Sequence, residues 1–273
     1  KAGLKLCSIY IGGGTPTSLS AAQLRQLMGT VRDCFDLSSI VEYTVEAGRP
    51  DCTDAEKLAV IREYGATRIS INPQTFSDEV LANIGRRHSA QDILDCYAEA
   101  RAAGHDDINM DLIAGLPGDT VEGFEKSLRQ AIALDPENIT VHTLALKKGA
   151  KLMEEQGKLC TPQEVADMLA YAEKTLRGAG YVPYYLYRQK YMSGSFENVG
   201  WAKSGAVCAY NIIMMEELQS VLSLGAGGIT KLVNPATGKI DRLSNPKYPR
   251  EYLDSWEKIC AHKAQTAEFQ ANL

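Results

Sequence analysis

The sequence predicts an α/β protein built on a parallel sheet, and three observations carry that reading. Short apolar runs of strand character alternate with stretches of helical period through the first two-thirds of the chain. The segments after the apolar runs are rich in glycine and proline, as loops at strand carboxyl ends are. The 273 residues are 45% hydrophobic, enough for a sizeable core.

The elements follow in order. Leu6 to Ile11 is a short apolar run stopped by three glycines, a buried strand by length and boundary. From Ser20 to Phe35 the apolar positions Leu24, Leu27, Met28, Val31 and Phe35 recur at helical spacing, with Ser20 as cap. Ile40 to Glu46 reads as a strand. Asp54 to Tyr64 reads as a helix capped by Thr53 and stopped by Gly65. Thr67 to Asn72 is the next strand, followed by helices over Asp78–Ile84 and Ala90–Ala103. Ile108–Ala114 is a strand, Thr120–Leu134 an amphipathic helix and Ile139–Leu146 the fifth strand. Beyond residue 147 the character changes. Pro162–Ala179 is helical, Tyr181–Tyr187 is a tyrosine-rich strand, and Arg188–Ser204 has no clear period. Leu222–Ile229 reads as a strand end running into a glycine cluster, and Tyr252–His262 closes the chain as a helix.

Repeated strand–helix units with right-handed crossovers fit an open doubly wound sheet or an incomplete (β/α) barrel. In either, ligands bind at strand carboxyl ends. The loops there are Gly12–Thr17, Ala47–Pro50, Pro73–Phe76 and Gly115–Pro117.

Composition narrows the function. A net charge of −5 argues against nucleic acid or an anionic membrane as the main partner. No apolar run approaches the ~20 residues of a spanning helix. The seven cysteines are widely spaced, the nearest pair being Cys34 and Cys52, so no local zinc or iron–sulfur ligand run can be read. The odd count and wide spacing fit a reducing, cytoplasmic compartment.

The sharpest local signal is Gly12-Gly13-Gly14-Thr15-Pro16-Thr17, where three glycines let a ligand approach the backbone. No Lys-Ser/Thr follows, so it is not a P-loop. Glu46 ends a strand, and Asp111 lies inside an apolar one, where a carboxylate needs a partner. Gln74 follows Pro73 and suits a turn or a ligand contact equally. Arg86 and Arg87 offer an arginine fork for a carboxylate or phosphate, and composition does not say which of the two serves. His88, His105, His142 and His262 lie singly, without metal-ligand spacing. Tyr184–Met192 combines four tyrosines with Arg188 and Lys190, which suits either an aromatic pocket for a planar anion or a surface edge strand.

At these motifs the chain resembles a known family. Tyr10–Thr17 is similar to the glycine motif of the radical S-adenosylmethionine enzymes, in its oxygen-independent coproporphyrinogen III oxidase form. Asn72–Phe76, Ile84–His88 and Asn109–Pro117 resemble that family's next three motifs in order. Tyr187–Met192 with Glu197–Gly200 resembles its coproporphyrinogen dehydrogenase branch. The resemblance implies an α/β fold, an incomplete (β/α) barrel with a C-terminal α+β extension. Residues 1–147 would form part of the barrel, and 148–273 the remainder and the extension.

It also implies S-adenosylmethionine as cofactor. Gly13, Gly14 and Thr15 would receive the methionyl amino group, and Glu46, Gln74, Arg86, Asp111, Ala145 and Ile229 would contact the rest. Arg86 is thereby distinguished from Arg87, a guanidinium suiting the methionyl carboxylate. The implied reaction needs a [4Fe–4S] cluster, an electron donor and a porphyrinogen, whose propionates would be oxidatively decarboxylated to vinyl groups in heme biosynthesis. A heme-binding chaperone of the same family is the alternative. The family's CxxxCxxC cluster motif lies ahead of the glycine motif, and none of the seven cysteines replaces it by spacing. The chain is therefore expected to be an N-terminally truncated fragment, inactive alone, with an exposed sheet edge that invites a homodimer.

Overall fold

The computed structural model describes residues 5–145, 159–188 and 196–273. It divides into two compact units, Leu6–Ala209 and a smaller one formed by Tyr210–Leu273 together with Lys5. The expected change of character at residue 147 lies outside the described residues.

The larger unit is a seven-stranded sheet of β1 (Ser8–Ile11), β2 (Glu42–Glu46), β3 (Arg68–Gln74), β4 (Ile108–Ala114), β5 (Asn138–Thr143), β6 (Val182–Tyr187) and β7 (Asn198–Ala202). Their order is β1-β2-β3-β4-β5-β7-β6. The first five pair in parallel, and β7 pairs antiparallel to both β5 and β6. Helices α1 (Ala21–Cys34), α2 (Ala55–Glu63), α3 (Asp78–Asn83), α4 (Ala90–Ala102) and α5 (Val121–Ala133) make the crossovers. Helix α6 (Pro162–Gly178) precedes β6. The sheet curls into an incomplete (β/α) barrel, the architecture expected.

Alternation along the strands explains how the barrel holds together. Tyr43, Val45, Ile69, Ile71, Met110, Leu112, Ile139, Val141 and Trp201 point outward into one core with Leu24, Leu58, Ile93, Phe124, Leu128 and Met168 of the helices. At about 25 cal/mol per Å² of buried apolar surface this face dominates the folding energy. The alternate positions point inward and are polar: Glu42, Thr44 and Glu46 on β2, Arg68, Ser70 and Asn72 on β3, Asn109 and Asp111 on β4, Asn138, Thr140 and His142 on β5.

The helix starts follow side-chain chemistry. Ser20, Ser89 and Thr161 form reciprocal capping boxes with Gln23, Asp92 and Glu164. Helix α2 corrects the sequence reading: its cap is Asp54, which accepts from the Lys57 amide at 2.9 Å. Thr53 instead turns its hydroxyl to Thr17, 2.9 Å away. Gly65 ends that helix at φ 86°.

Other boundaries also move. Strand β3 continues to Gln74, with a register shift against β4 between Ile71 and Gln74. Strand β7 lies within the segment that showed no period. In the smaller unit the glycine cluster precedes a strand instead of ending one. Strand β8 (Ile229–Val233) follows it and forms a hairpin with β9 (Ile240–Ser244). Helix α7 (Ala209–Met215) precedes this hairpin, and the final helix is two, α8 (Pro249–Asp254) and α9 (Trp256–Ala271), divided at Ser255.

The buried carboxylate–guanidinium system at the amino end of the barrel closes that end. Arg68, only 2% exposed, reaches Asp107 at 2.8 Å. Asn138 donates to the Ala206 carbonyl at 2.6 Å, and Glu42 accepts from the Ala209 amide at 2.6 Å. The segment Lys203–Ala209 is thereby pinned beneath the strands.

Candidate functional site

At the opposite, carboxyl end of the strands the inner polar face meets the loop after β1. The loop after β1 carries Gly12, Gly13 and Gly14, all exposed. Gly12 is required by packing, because a Cβ there would overlap the Tyr10 ring and stand 2.8 Å from Glu46 Oε1. Gly13 and Gly14 differ: a Cβ on either would meet nothing within 4 Å. Gly13 has φ 82° and Thr15 has φ 79°. Gln74, at the end of β3, has φ 68° although it is 8% exposed. A left-handed conformation costs a non-glycine residue roughly 1–2 kcal/mol. Two such residues, one after β1 and one closing β3, mark this rim as a place where the fold bears strain.

Glu46 faces this loop from the end of β2. The Tyr10 hydroxyl donates to its Oε1 at 2.6 Å, and the Gly13 amide also donates to it. Burial pushes the Glu46 carboxyl above the usual carboxylate range, opposed by these hydrogen bonds and reinforced by the charge of Asp111.

Asp111 sits mid-strand on β4 with a side chain 18% exposed. Burial alone would raise its carboxyl. The imidazole of His142, with Asn109 and Thr140, overcomes burial and holds the group below its ordinary range. Asn109 Nδ2 donates to Asp111 Oδ1 at 2.7 Å and to Ser70 Oγ at 2.8 Å, while Ser70 donates to Asn72 Oδ1 at 2.6 Å. Thr140 donates to Asn109 Oδ1 at 3.1 Å. A hydrogen-bonded chain thus crosses β3, β4 and β5 beneath the rim, which is how an apolar strand accommodates the carboxylate.

The cationic side of the rim is Arg86, which follows Gly85 at φ 71°. Its guanidinium is half-buried and makes no hydrogen bond or ion pair among the described residues. Burial and the charge of Arg49 lower its pKa, against the favourable charge of Asp51. Arg49 is already spent in a fork with Asp51, whose two oxygens accept from it at 3.1 Å and 2.5 Å. His88 is buried alongside, its Nδ1 3.6 Å from Asp51 Oδ1, and burial followed by the Arg86 charge depresses its pKa. Arg87 is exposed. An uncompensated guanidinium in this setting has an affinity for an anion.

Opposite, β6 supplies an aromatic wall. Tyr185 and Tyr187 stack at 6.1 Å with ring planes 5° apart, and Tyr184 lies 4.8 Å from Tyr185. Gly200 on β7 makes room for this wall, since a Cβ there would fall inside the Tyr185 ring. Arg188 pairs with Glu197 at 3.1 Å. The remainder of the tyrosine segment, residues 189–192, lies outside the described residues.

Of the nine expected contact residues, eight lie in the larger unit: Gly13, Gly14, Thr15, Glu46, Gln74 and Ala145 at or just beyond the carboxyl ends of β1, β2, β3 and β5, Asp111 in the middle of β4, and Arg86 after α3. Ala145 follows β5 and is half-buried. Ile229 belongs to the smaller unit, where it opens β8 and is 47% exposed. Its preceding glycine loop is tied down by Tyr252, which accepts from the Gly225 amide at 3.1 Å, and by Asn245, which donates to the Gly225 carbonyl at 2.8 Å. Sequence reasoning singled out neither Tyr10 nor His142 as part of the site. Their signal was strand alternation, which puts Tyr10 and His142 on the same face as Glu46 and Asp111.

Comparison with known proteins agrees with this architecture. A model of the Radical SAM superfamily matches residues 5–131. The oxygen-independent coproporphyrinogen-III oxidase-like protein HemZ of Bacillus subtilis is 42% identical over 268 residues, 97% of this chain and 54% of that protein. The heme chaperone HemW of Bacillus subtilis is 33% identical over 264 residues, 92% of this chain and 65% of that one. The solved coproporphyrinogen III oxidase HemN of Escherichia coli shares the fold, with a TM-score of 0.73 at 23% identity over 93% of this chain and 58% of that chain. This chain therefore spans between about half and two-thirds of the length of these relatives. Residues 5–131 thus carry a radical SAM domain, and the chain as a whole is similar to oxygen-independent coproporphyrinogen-III oxidase-like proteins.

Proposed function

We propose that the inner rim binds S-adenosylmethionine, and that the protein serves oxidative decarboxylation of porphyrinogen propionates in heme biosynthesis. The observation that carries this reading is Glu46, a carboxylate held by Tyr10 and Gly13 beside backbone that a Cβ would not obstruct at Gly13 and Gly14. An ammonium group fits there, against Glu46 and the loop carbonyls. Arg86 supplies the matching cation for the methionyl carboxylate. Asp111 and Gln74 offer oxygens to ribose hydroxyls, and Ala145 is an apolar or backbone contact to the adenosine. When bound and reduced, S-adenosylmethionine supplies a carbon-centred radical able to take hydrogen from an unactivated C–H bond. The chain's own part is to orient the molecule between Glu46 and Arg86 and to keep the barrel interior ordered.

A [4Fe–4S] cluster is a different matter. None of the seven cysteines is in a disulfide, and among the described residues no three Cys, His, Asp or Glu side chains gather to hold a metal. These residues do not fit the cluster, so its ligands and the electron donor are left to other residues or proteins.

The test is calorimetry of S-adenosylmethionine and of its demethylated thioether analogue S-adenosylhomocysteine with this chain, beside Glu46→Gln and Arg86→Ala. Micromolar or weaker binding that each substitution lowers at least tenfold supports the reading. Equal heats in all three would overturn it.

A second reading, a heme-binding chaperone, is favoured by the 33% identity to HemW. Titrating the full-length protein with heme and with coproporphyrinogen separates the two. Stoichiometric heme binding without carbon dioxide release assigns the chaperone role. Among the described residues no helix is long and apolar enough to cross a membrane.

A further inference from the structure

His142 lies between two features that the site otherwise keeps apart. Its Nε2 stands 3.6 Å from Asp111 Oδ2, and its Nδ1 stands 3.3 Å from the Tyr187 hydroxyl. Asp111 belongs to the polar chain under the rim, and Tyr187 to the aromatic wall of β6. The strand between β5 and β6 is β7, and its residue there does not interrupt the contact. Asn198 turns its side-chain oxygen to the Thr143 amide at 2.7 Å, and Tyr187 reaches past it to meet the imidazole edge-on, with centroids 6.3 Å apart.

We propose that His142 is a positioning residue of this site, which orients the Asp111 carboxylate toward the ligand and couples that orientation to Tyr187. The role rests on the reading of the rim as an S-adenosylmethionine site. Two nitrogens on opposite edges of one ring satisfy both neighbours at once: Nε2–H faces the carboxylate, and Nδ1 accepts from the phenol. The tautomer follows from the partners. Asp111 Oδ1 is held by Asn109 at 2.7 Å, Thr140 also bonds to the carboxyl, and His142 faces Oδ2, where it sets the orientation of that oxygen. Lone pairs on both oxygens stay available to a ligand hydroxyl. Outer groups of this kind set the aim of the residue that touches the ligand, as hydrogen-bond partners of ligating side chains do elsewhere. Tyr187 gives the device a second input. A planar ligand that moves the aromatic wall moves His142, and with it the carboxylate that holds the cofactor.

The decisive measurement needs no cofactor. Carbon-13 NMR of aspartate-labelled protein follows the Asp111 carboxyl through its titration, with Asp111→Asn to assign the signal. Glu46, Tyr10 and Tyr185 also feel this charge, and they are unchanged in the variants. In His142→Phe the midpoint rises, because burial is no longer opposed from Oδ2. In His142→Gln, which keeps a donor at the Nε2 position, it stays near the wild-type value. Should the phenylalanine variant fail to fold, His142→Asn, whose amide stops short of Asp111, gives the same rise. Calorimetry with S-adenosylhomocysteine then shows roughly tenfold weaker binding for His142→Phe and near-native binding for His142→Gln. A midpoint that does not move in either short or apolar variant overturns the proposal. A midpoint that moves while wild-type protein binds no S-adenosylhomocysteine keeps His142 as the partner of Asp111 and overturns the cofactor reading, and with it the role toward the ligand.

Discussion

The Tyr10 hydroxyl donates a 2.6 Å hydrogen bond to Glu46, and Gly12 packs directly against both side chains. The glycine motif therefore contains two kinds of glycine. Gly12 is needed by the empty protein, whereas Gly14 has open space and an ordinary φ.

Gly12→Ala and Gly14→Ala separate these roles. Gly12→Ala forces the Tyr10–Glu46 contact apart and lowers stability by about 1–3 kcal/mol, read as a fall in Tm. Gly14→Ala leaves Tm unchanged and weakens S-adenosylmethionine binding, read by calorimetry, because only a ligand would meet the new methyl. Equal Tm losses for the two would refute the distinction.

Glu46 is predicted to trade stability for binding. Its folded-state carboxyl is raised by burial above its unfolded value. The folded state thus holds the proton more tightly, and ionisation costs stability as pH rises from the unfolded value through the folded one. Glu46→Gln consequently raises Tm at neutral pH and leaves it little changed at pH 3, while ligand affinity falls about tenfold or more. A variant less stable at pH 7 than the parent would contradict this sign.

Arg68 carries a prediction at the other end of the barrel. It is 2% exposed and pairs with Asp107. Removing one partner of such a pair leaves a charge uncompensated, so Arg68→Met costs about 3 kcal/mol in urea unfolding. The rim is built on other residues, so S-adenosylmethionine affinity measured on the remaining folded protein stays within about twofold of the parent.

Gly200 and Tyr185 form a coupled pair. Gly200→Ala displaces the ring that covers it and costs about 1–3 kcal/mol. In a Tyr185→Ala background the same change costs much less, and the double-mutant cycle gives a coupling of roughly 0.5–3 kcal/mol. Strict additivity in thermal unfolding would show that the ring is not held by the glycine.

How much of this was legible depended on range. Local signals read well: Ser20 gave the first helix its start, and the alternation of Val41–Glu46 set Glu46 at a strand tip. Thr53 and Asp54 are both good caps side by side, and only the nearby Thr17 hydroxyl decides between them. Strand β7 was hidden because Asn198-Val199-Gly200-Trp201-Ala202 alternates around a glycine whose purpose is a tyrosine fifteen residues earlier. The resemblance to a family supplied Arg86 over Arg87, and the structure gives the physical difference: one guanidinium is half-buried, the other exposed. His142 stood alone in the sequence because its partners, Asp111 and Tyr187, come from two other strands.

The two faces of the sheet have a consequence for how this protein tolerates change. The outward residues bind the helices, while the inward ones from Thr44 to His142 meet mainly one another. Inward substitutions that preserve the polar pairing can therefore alter what the barrel accepts without loosening its shell. A library varied only at Ser70, Asn72, Asn109, Thr140 and His142 would sample new ligand preferences among folded proteins, whereas the same number of changes at Ile71, Met110 or Val141 would mostly sample unfolded ones.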